Sequence, residues 1–389
     1  MLKPLLTGTI TFGTKANGQL DHYFGAQKAQ SNPTKTTRIN KELRTMADHL
    51  PLTLSNAAFV RYDESNMDFL RALLFGAEGT PYAHGCFLFD IFMGDYPTSP
   101  PKVNLITTGR DTVRFNPNLY ANGYVCLSLL GTWGGQGCET WSAKSNITQV
   151  LVSIQSLVMS EDVYGNEPGY EAAAKTPEGK LLNEGYCNIV KYANIKFAMI
   201  EQINNPPQGF ERVVEIHFYL KRDLILNDVK KWVDAAPHTK GNYTGLVMSH
   251  NNTFADMFHD PNKFAKHMNE AYEELKTALE KFKLKVAKTF DLKLVEEEEK
   301  TGEQAPQDLP EIQHNTHEAK KPEEKEEPLK KEESLKEEEE PIKKEESIKK
   351  QEETADNIMV QEDQQPKIQP ETESMITDIP EDSKILTQN

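Results

Sequence analysis

The chain has 389 residues, enough for one large domain or two ordinary ones. Its formal net charge of -16 argues against general attraction to nucleic acid or to an anionic membrane surface. Only 37% of the residues are hydrophobic, too few for every part of the chain to bury a core.

The opening stretch MLKPLLTGTITFG has too short an apolar run for a secretory signal, and no segment has the length of a membrane span. The four cysteines, Cys86, Cys126, Cys138 and Cys187, form no CxxC pair, so neither a disulfide framework nor a zinc module is expected. Together these features place the chain in a reducing compartment, cytosol or nucleus, and imply no metal or other cofactor.

Residues 1–35 are polar and rich in turn residues; they read as a poorly ordered arm with one short strand near Thr9 to Phe12. A helix follows, because Ile39, Leu43, Met46 and Leu50 recur at three- and four-residue spacing, with Thr36 or Thr37 as cap and Pro51 as stop. The runs NAAFVRYDES, FLRALLFGAE, GCFLFDIFM and KVNLITT read as four strands, the last two separated by the proline-rich DYPTSPP. Short connections between them predict an antiparallel meander, hence an α+β fold.

A second helix should carry Ile147, Val150, Leu151, Ile154, Leu157 and Val158 on its apolar face. Further helical pattern covers about 170–203, with Ile189, Val190, Ala193 and Phe197 inward, and 211–233. Asp260-Pro261 is a helix start, followed by a stripe of Phe264, Met268, Leu275, Leu279, Phe282 and Val286. The stripe either packs on its own domain or seeks a partner.

From about Val295 the composition shifts to Glu, Lys, Pro and Gln, with an imperfect repeat, PLKKEESLKEEEE and then PIKKEESIKK. Such a segment cannot offset its chain entropy by burial, and it is expected to be disordered. The expected division is an arm at 1–35, a core domain at 36–205, a helical extension at 206–292 and a charged tail at 293–389.

The chemistry concentrates in RFNPNLYANGYVCLSLLGTW, residues 114–133. An Asn-Pro-Asn turn stands a few residues before the thiol of Cys126. A nucleophilic thiol beside a turn-held amide is the equipment that acyl transfer through a thioester needs. A structural thiol is the commoner role of a lone cysteine.

In order, the helix, the four strands, YPxxPP, Asn-Pro-Asn, cysteine, tryptophan and helix resemble the ubiquitin-conjugating enzyme family from about Arg38 to Asn205. RFNPNLY, the longer loop around Trp133 and NEPGYE resemble the branch of that family typified by the conjugating domain of Apollon-like inhibitor-of-apoptosis proteins. The run HFYLKRDLI extends the likeness to about Trp232.

The resemblance implies a carrier of ubiquitin that accepts it from an activating enzyme and passes it to substrate lysines. It casts Cys126 as the thioester-forming residue and Asn118 as the oxyanion-stabilising amide. Glu167, with Tyr164 and Asn166 beside it, becomes the carboxylate that orients the incoming lysine. Trp141 becomes a packing residue beneath the cysteine loop. Arg38, Lys41 and Arg44 on the first helix become the contact for the activating enzyme.

Departures are equally specific. Asn116 replaces the family's usual histidine. Thr98 stands where many members present an aromatic to ligases, and WSAK lacks a proline of the ligase-binding loop. Selection of substrates by the chain's own extensions is therefore expected, and a separate ligase is an open requirement. A scaffold or ubiquitin-binding variant that keeps the fold without catalysis is the alternative.

Overall fold

The computed structural model describes residues 5–28, 32–53, 55–134, 140–167, 169–236 and 260–289. A five-stranded mixed sheet, in the order β1-β2-β3-β4-β5, lies at its centre. The strands are β1 (Thr7–Ile10), β2 (Ala58–Asp63), β3 (Phe69–Phe75), β4 (Cys86–Phe92) and β5 (Lys102–Leu105). β2 to β5 form the expected antiparallel meander.

β1 corrects the reading of the arm. It pairs in parallel with β2, with Thr7 opposite Val60 and Ile10 opposite Asp63. The strand lies two residues earlier than the sequence suggested. Beyond it, single anchors hold the arm to the sheet: the Phe12 N–H donates to Asp63 (3.2 Å), His22 Nε2 to the Leu70 carbonyl (2.9 Å), and the Tyr23 N–H to Asp90 (2.7 Å). Phe12 and Ile10 pack on Phe69 and Phe92 as a small second core. A four-residue strand and scattered aromatics have no period, so the sequence suggested a short strand here but not its exact bounds or its anchoring to the sheet.

Alternation along β3 and β4 explains what the arm covers. Phe69, Arg71 and Leu73 share one face, opposite Phe92, Asp90 and Leu88. Arg71 makes a bidentate pair with Asp90 (2.6 and 2.9 Å), and its guanidinium lies 4.8 Å from the centre of the Phe12 ring. Leu70, Ala72 and Leu74 point the other way into the main core, to which Ile147, Val150, Leu151 and Ile154 also belong.

The helices are α1 (Pro33–His49), α2 (Ile147–Ser153), α3 (Pro177–Ala193), α4 (Glu201–Asn204), α5 (Glu211–Ala235) and α6 (Pro261–Thr289). α1 begins before the predicted Thr36. Asn32 is its cap, accepting from the Thr34 N–H, and Pro33 supplies the first turn. The expected boundary between residues 35 and 36 therefore falls inside a helix.

α2 starts on a reciprocal capping box between Asn146 and Gln149 and runs on as a π-helical segment to Val158. Leu157, read as inward, is 63% exposed, because the wider π turn rotates it away from the apolar stripe. Glu42 ties three elements together. Its carboxylate accepts from Arg38, from the Tyr96 hydroxyl, and from the Ile147 N–H at the start of α2.

α5 and α6 join the same core as the sheet. The stripe Phe264, Met268, Leu275, Leu279 and Phe282 is buried there, so this face of α6 packs on its own chain. The Val286 side chain, Cys138 and the charged tail lie outside the described residues. Among the described residues, no helix is long and apolar enough to cross a membrane.

Where α5 meets the sheet, His217 Nε2 donates to the His84 carbonyl (2.9 Å) and His84 Nε2 pairs with Asp228 (3.0 Å). Burial, aided by nearby Lys221, lowers the pKa of His217 to about 3 and also lowers that of His84. Both are therefore favoured neutral in the folded state. Their contribution to stability is complete above the ordinary histidine pKa of 6.5 and is lost as pH falls below it. The melting temperature should fall from pH 7 to pH 5, and His217→Gln should reduce the slope. Melting curves that coincide across this range would contradict the assignment.

Candidate functional site

Residues 114–132 fold into a hairpin followed by a doubled-back turn. Leu119 bridges Val125 in antiparallel fashion, and the Cys126 N–H donates to the Asn118 carbonyl (2.9 Å). The candidate amide and the candidate thiol therefore stand opposite each other across the hairpin. Gly123 closes its tip with φ +84°, and a Cβ there would stand 2.3 Å from the Leu105 carbonyl oxygen. Only glycine suits both the backbone angle and the space.

The Asn-Pro-Asn turn is held from below. Asn116 is fully buried; its Nδ2 donates to the Val158 carbonyl (2.8 Å) and to the Tyr82 hydroxyl (3.0 Å). Its Oδ1 accepts from the Asn118 N–H (2.9 Å). Tyr82 in turn donates to the Phe115 carbonyl (2.8 Å). Asn116 thus holds the loop from the position where the family usually has a histidine. Asn118 is half-buried, and its side-chain amide has no hydrogen-bond partner among the described residues.

Cys126 is covered but not deep. Only 5% of the residue is exposed. After the 3-10 turn Ser128–Leu130, Gly131 adopts a left-handed conformation (φ 67°) and sends Thr132 back over the sulfur. The Cys126 thiol donates to the Thr132 carbonyl (3.1 Å), and the Thr132 hydroxyl links the Val125 carbonyl (2.8 Å) to the Leu127 N–H (2.9 Å). Burial raises the thiol pKa above its ordinary value; the Arg114 charge pulls it down, and Glu167 pushes it up.

Those last two residues place the third candidate. Glu167 Oε2 lies 3.4 Å from Arg114 Nη2, and both act on the Cys126 charge. Asn166 donates to the Val158 carbonyl (3.2 Å), while Tyr164 is buried and stacks on Tyr170 at 5.1 Å between ring centres. Asn166 and Tyr164 shape the backbone on which Glu167 is presented. Arg114 was not singled out in the sequence; a cation opening an Asn-Pro-Asn loop was the signal available.

Trp141 packs against the main core, which includes Val125, Leu127 and Leu130 of the cysteine loop. Its Nε1 donates to the Pro97 carbonyl (2.8 Å), and its ring lies 5.6 Å from Tyr96. It therefore braces the YPTSPP loop. Trp133 is half exposed, at 48%. On α1, Lys41 and Arg44 are exposed, but Arg38 is engaged within the fold, with Glu42 and with the Ser145 carbonyl (2.9 Å). Arg38, Lys41, Glu42 and His49 help line a shallow groove of about 340 Å³ beside the start of α2.

Residues 38–192 match the ubiquitin-conjugating enzyme family. The chain contains a ubiquitin-conjugating enzyme domain. Over 243 residues, 61% of the chain, it is 42% identical to the human "Dual E2 ubiquitin-conjugating enzyme/E3 ubiquitin-protein ligase BIRC6", of which it spans 5%. It is 45% identical over 201 residues, 51% of the chain, to the Caenorhabditis elegans "Probable ubiquitin-conjugating enzyme protein 17", of which it spans 28%. It is 39% identical over 222 residues, 56% of the chain, to the Arabidopsis thaliana "Probable ubiquitin-conjugating enzyme E2 26", of which it spans 39%. The chain thus spans well under half the length of each of these relatives. The matched segment of 38–192 includes the whole thiol hairpin and Glu167.

With its pKa raised and its S–H engaged in a hydrogen bond to the Thr132 carbonyl, Cys126 should be a slow nucleophile at rest. Alkylation by iodoacetamide at pH 7.5, followed by peptide mass spectrometry, should proceed more slowly than for a free cysteine peptide. Its rate should still be rising where the free peptide has levelled off. Matching rates and profiles would show that the cover over the sulfur does not act.

Proposed function

We propose that this domain is a ubiquitin-conjugating enzyme that carries ubiquitin as a thioester on Cys126 and passes it to substrate lysine. The observation that carries the reading is the facing arrangement of Cys126 and Asn118 on one rigid hairpin, with Glu167 in electrostatic reach.

In the first step the Cys126 thiolate attacks the thioester carbonyl presented by an activating enzyme. A new S–C bond forms, the old one breaks, and the activating enzyme's cysteine leaves as thiolate. In the second step a neutral lysine amine attacks the Cys126 thioester. The N–C bond of the isopeptide forms, the S–C bond breaks, and Cys126 departs with the electron pair.

Asn118 donates its free amide to the tetrahedral oxyanion between these bonds. Glu167 orients the lysine and accepts the proton that the amine loses. Before either step the Thr132 carbonyl must turn aside from the sulfur.

Lys41 and Arg44 are the exposed basic residues on α1 for the activating enzyme, with Arg38 shaping the groove between them and α2. The helices beyond residue 205 fit a role in substrate selection, which would lessen dependence on a separate ligase. A reducing compartment, cytoplasm or nucleus, suits a working thiol. The same chemistry would serve a different ubiquitin-like modifier, and pairing with several activating enzymes separates the two.

One observation favours a second reading, that of a silent ubiquitin-binding scaffold: the covered thiol already bonded to Thr132. Incubation with activating enzyme, ATP and ubiquitin decides. The conjugating reading expects an adduct that is released by reducing agent and absent in Cys126→Ala. Ubiquitin binding without any adduct, across several activating enzymes, selects the scaffold.

Asn118→Ala should still charge, then discharge to free lysine more slowly by on the order of a hundredfold. Discharge at the wild-type rate would remove the oxyanion role.

A further inference from the structure

Arg114 occupies a position that neither the motif nor the family reading uses. It opens the run RFNPN, and its own carbonyl is fixed by the hydroxyl of buried Tyr186 (3.2 Å). From there its guanidinium reaches three groups. Nη2 donates to the Pro117 carbonyl (2.6 Å), inside the Asn-Pro-Asn turn. The same nitrogen meets Glu167 Oε2 (3.4 Å), across 53 residues of sequence. The guanidinium carbon lies 4.3 Å from the centre of the Tyr120 ring, on the outgoing arm of the hairpin. Nε is buried and has no hydrogen-bond partner.

The pattern of contacts matters more than any one of them. Pro117 lies between Asn116, which anchors the loop, and Asn118, which faces Cys126. Glu167 belongs to a separate segment, presented after α2. Among the described residues, Arg114 is the side chain that joins the Glu167 carboxylate to the hairpin. A planar guanidinium can stack on a ring and hold a carbonyl and a carboxylate in fixed relation; an ammonium can supply the charge but not the frame.

We propose that Arg114 is a positioning residue for the transfer step, holding the Asn118 turn and the Glu167 carboxylate in one frame around the Cys126 thioester. The inference rests on the conjugating reading and adds the part that registers its two halves. Arg114 acts through Pro117 and Glu167 and takes no proton itself. Its buried, unpaired Nε also leaves one fixed donor near the site uncommitted. Loss of the frame affects lysine attack, which needs both the amide and the carboxylate in place. It affects charging less, because that step depends on Glu167 neither for orientation nor for proton removal.

The test is single-turnover discharge of preformed thioester to free lysine, compared with charging, for wild type, Arg114→Gln, Arg114→Lys, Glu167→Gln and the double variant Arg114→Gln/Glu167→Gln. Thermal melts of each establish that it is folded. Relative to charging, discharge should fall by roughly tenfold or more in Arg114→Gln, as expected for a lost orienting contact. Arg114→Lys should recover only part of this. The double variant should lose clearly less than the two single losses multiplied together, since both remove the shared Arg114–Glu167 coupling.

The pH profile of discharge should also move towards higher pH in Arg114→Gln, because loss of the frame leaves the lysine to be deprotonated by solvent. Equal losses in charging and discharge, or additive losses in the double variant, would assign Arg114 to fold maintenance and overturn the proposal. So would discharge indifferent to both Arg114 variants. If Arg114→Gln fails to fold, the Arg114→Lys discharge-to-charging ratio alone decides, and an unchanged ratio overturns it. A wild-type protein that never charges would sink the conjugating reading and this inference together.

Discussion

The buried amide of Asn116 is the contact on which the site is built. It joins the Asn-Pro-Asn turn to Val158 at the end of α2, to Tyr82 before β4, and to the backbone N–H of Asn118. Leaving any one of these polar groups unpaired in the interior would cost about 1–3 kcal/mol, so the turn has one well-defined seat. Everything after it inherits that seat. The hairpin fixes Asn118 opposite Cys126, and Gly131 then folds Thr132 over the sulfur.

Around that frame the electrostatics oppose one another. Burial and Glu167 favour the neutral thiol, while Arg114 favours the thiolate. The result is a nucleophile held in reserve, not one permanently ionised. This suits the acyl exchange proposed for Cys126, where an over-stabilised thiolate would accept the group poorly. Arg114 and Glu167 also partly neutralise each other, so the environment of the sulfur depends on how well that pair is kept. Ionisation of the thiol and the placing of the carboxylate are thus coupled through one guanidinium.

A second level of organisation lies away from the thiol. Glu42 gathers α1, the Tyr96 loop and the first N–H of α2, and Trp141 braces that same loop through Pro97. On the sheet face bearing Arg71 and Asp90, the N-terminal segment packs Phe12, His22 and Phe24 beside Phe69 and Phe92. Cross-strand pairing alone would leave Arg71 and Asp90 open to solvent; the arm covers them and makes the ion pair an internal one. α5 and α6 extend the core further, with His217 and His84 as neutral joints.

Periodicity reports which face of an element is apolar, and it located β2 to β5, α1, α2 and the stripe of α6 without any coordinates. The resemblance to the conjugating family, carried by motif order, implied that Cys126, Asn118 and Glu167 belong to one site. The amino-acid sequence suggested a short strand in the arm, but not that it would start at Thr7 or join the sheet by pairing in parallel with β2, because a strand that short carries no signal for its partner. It also could not place Leu157 outward, since the π turn that rotates it is a departure from the helical period itself.

The sequence by itself determined the meander, the helical stripes and the Asn-Pro-Asn to cysteine spacing, all of which are local properties of consecutive residues. Only the tertiary structure decided that Arg38 is spent on Glu42 and Ser145, that Thr132 covers the sulfur, and that Arg114 reaches Glu167. Those outcomes depend on where distant segments come to rest against one another, and that is fixed by packing around a shared core, not by any pattern along the chain.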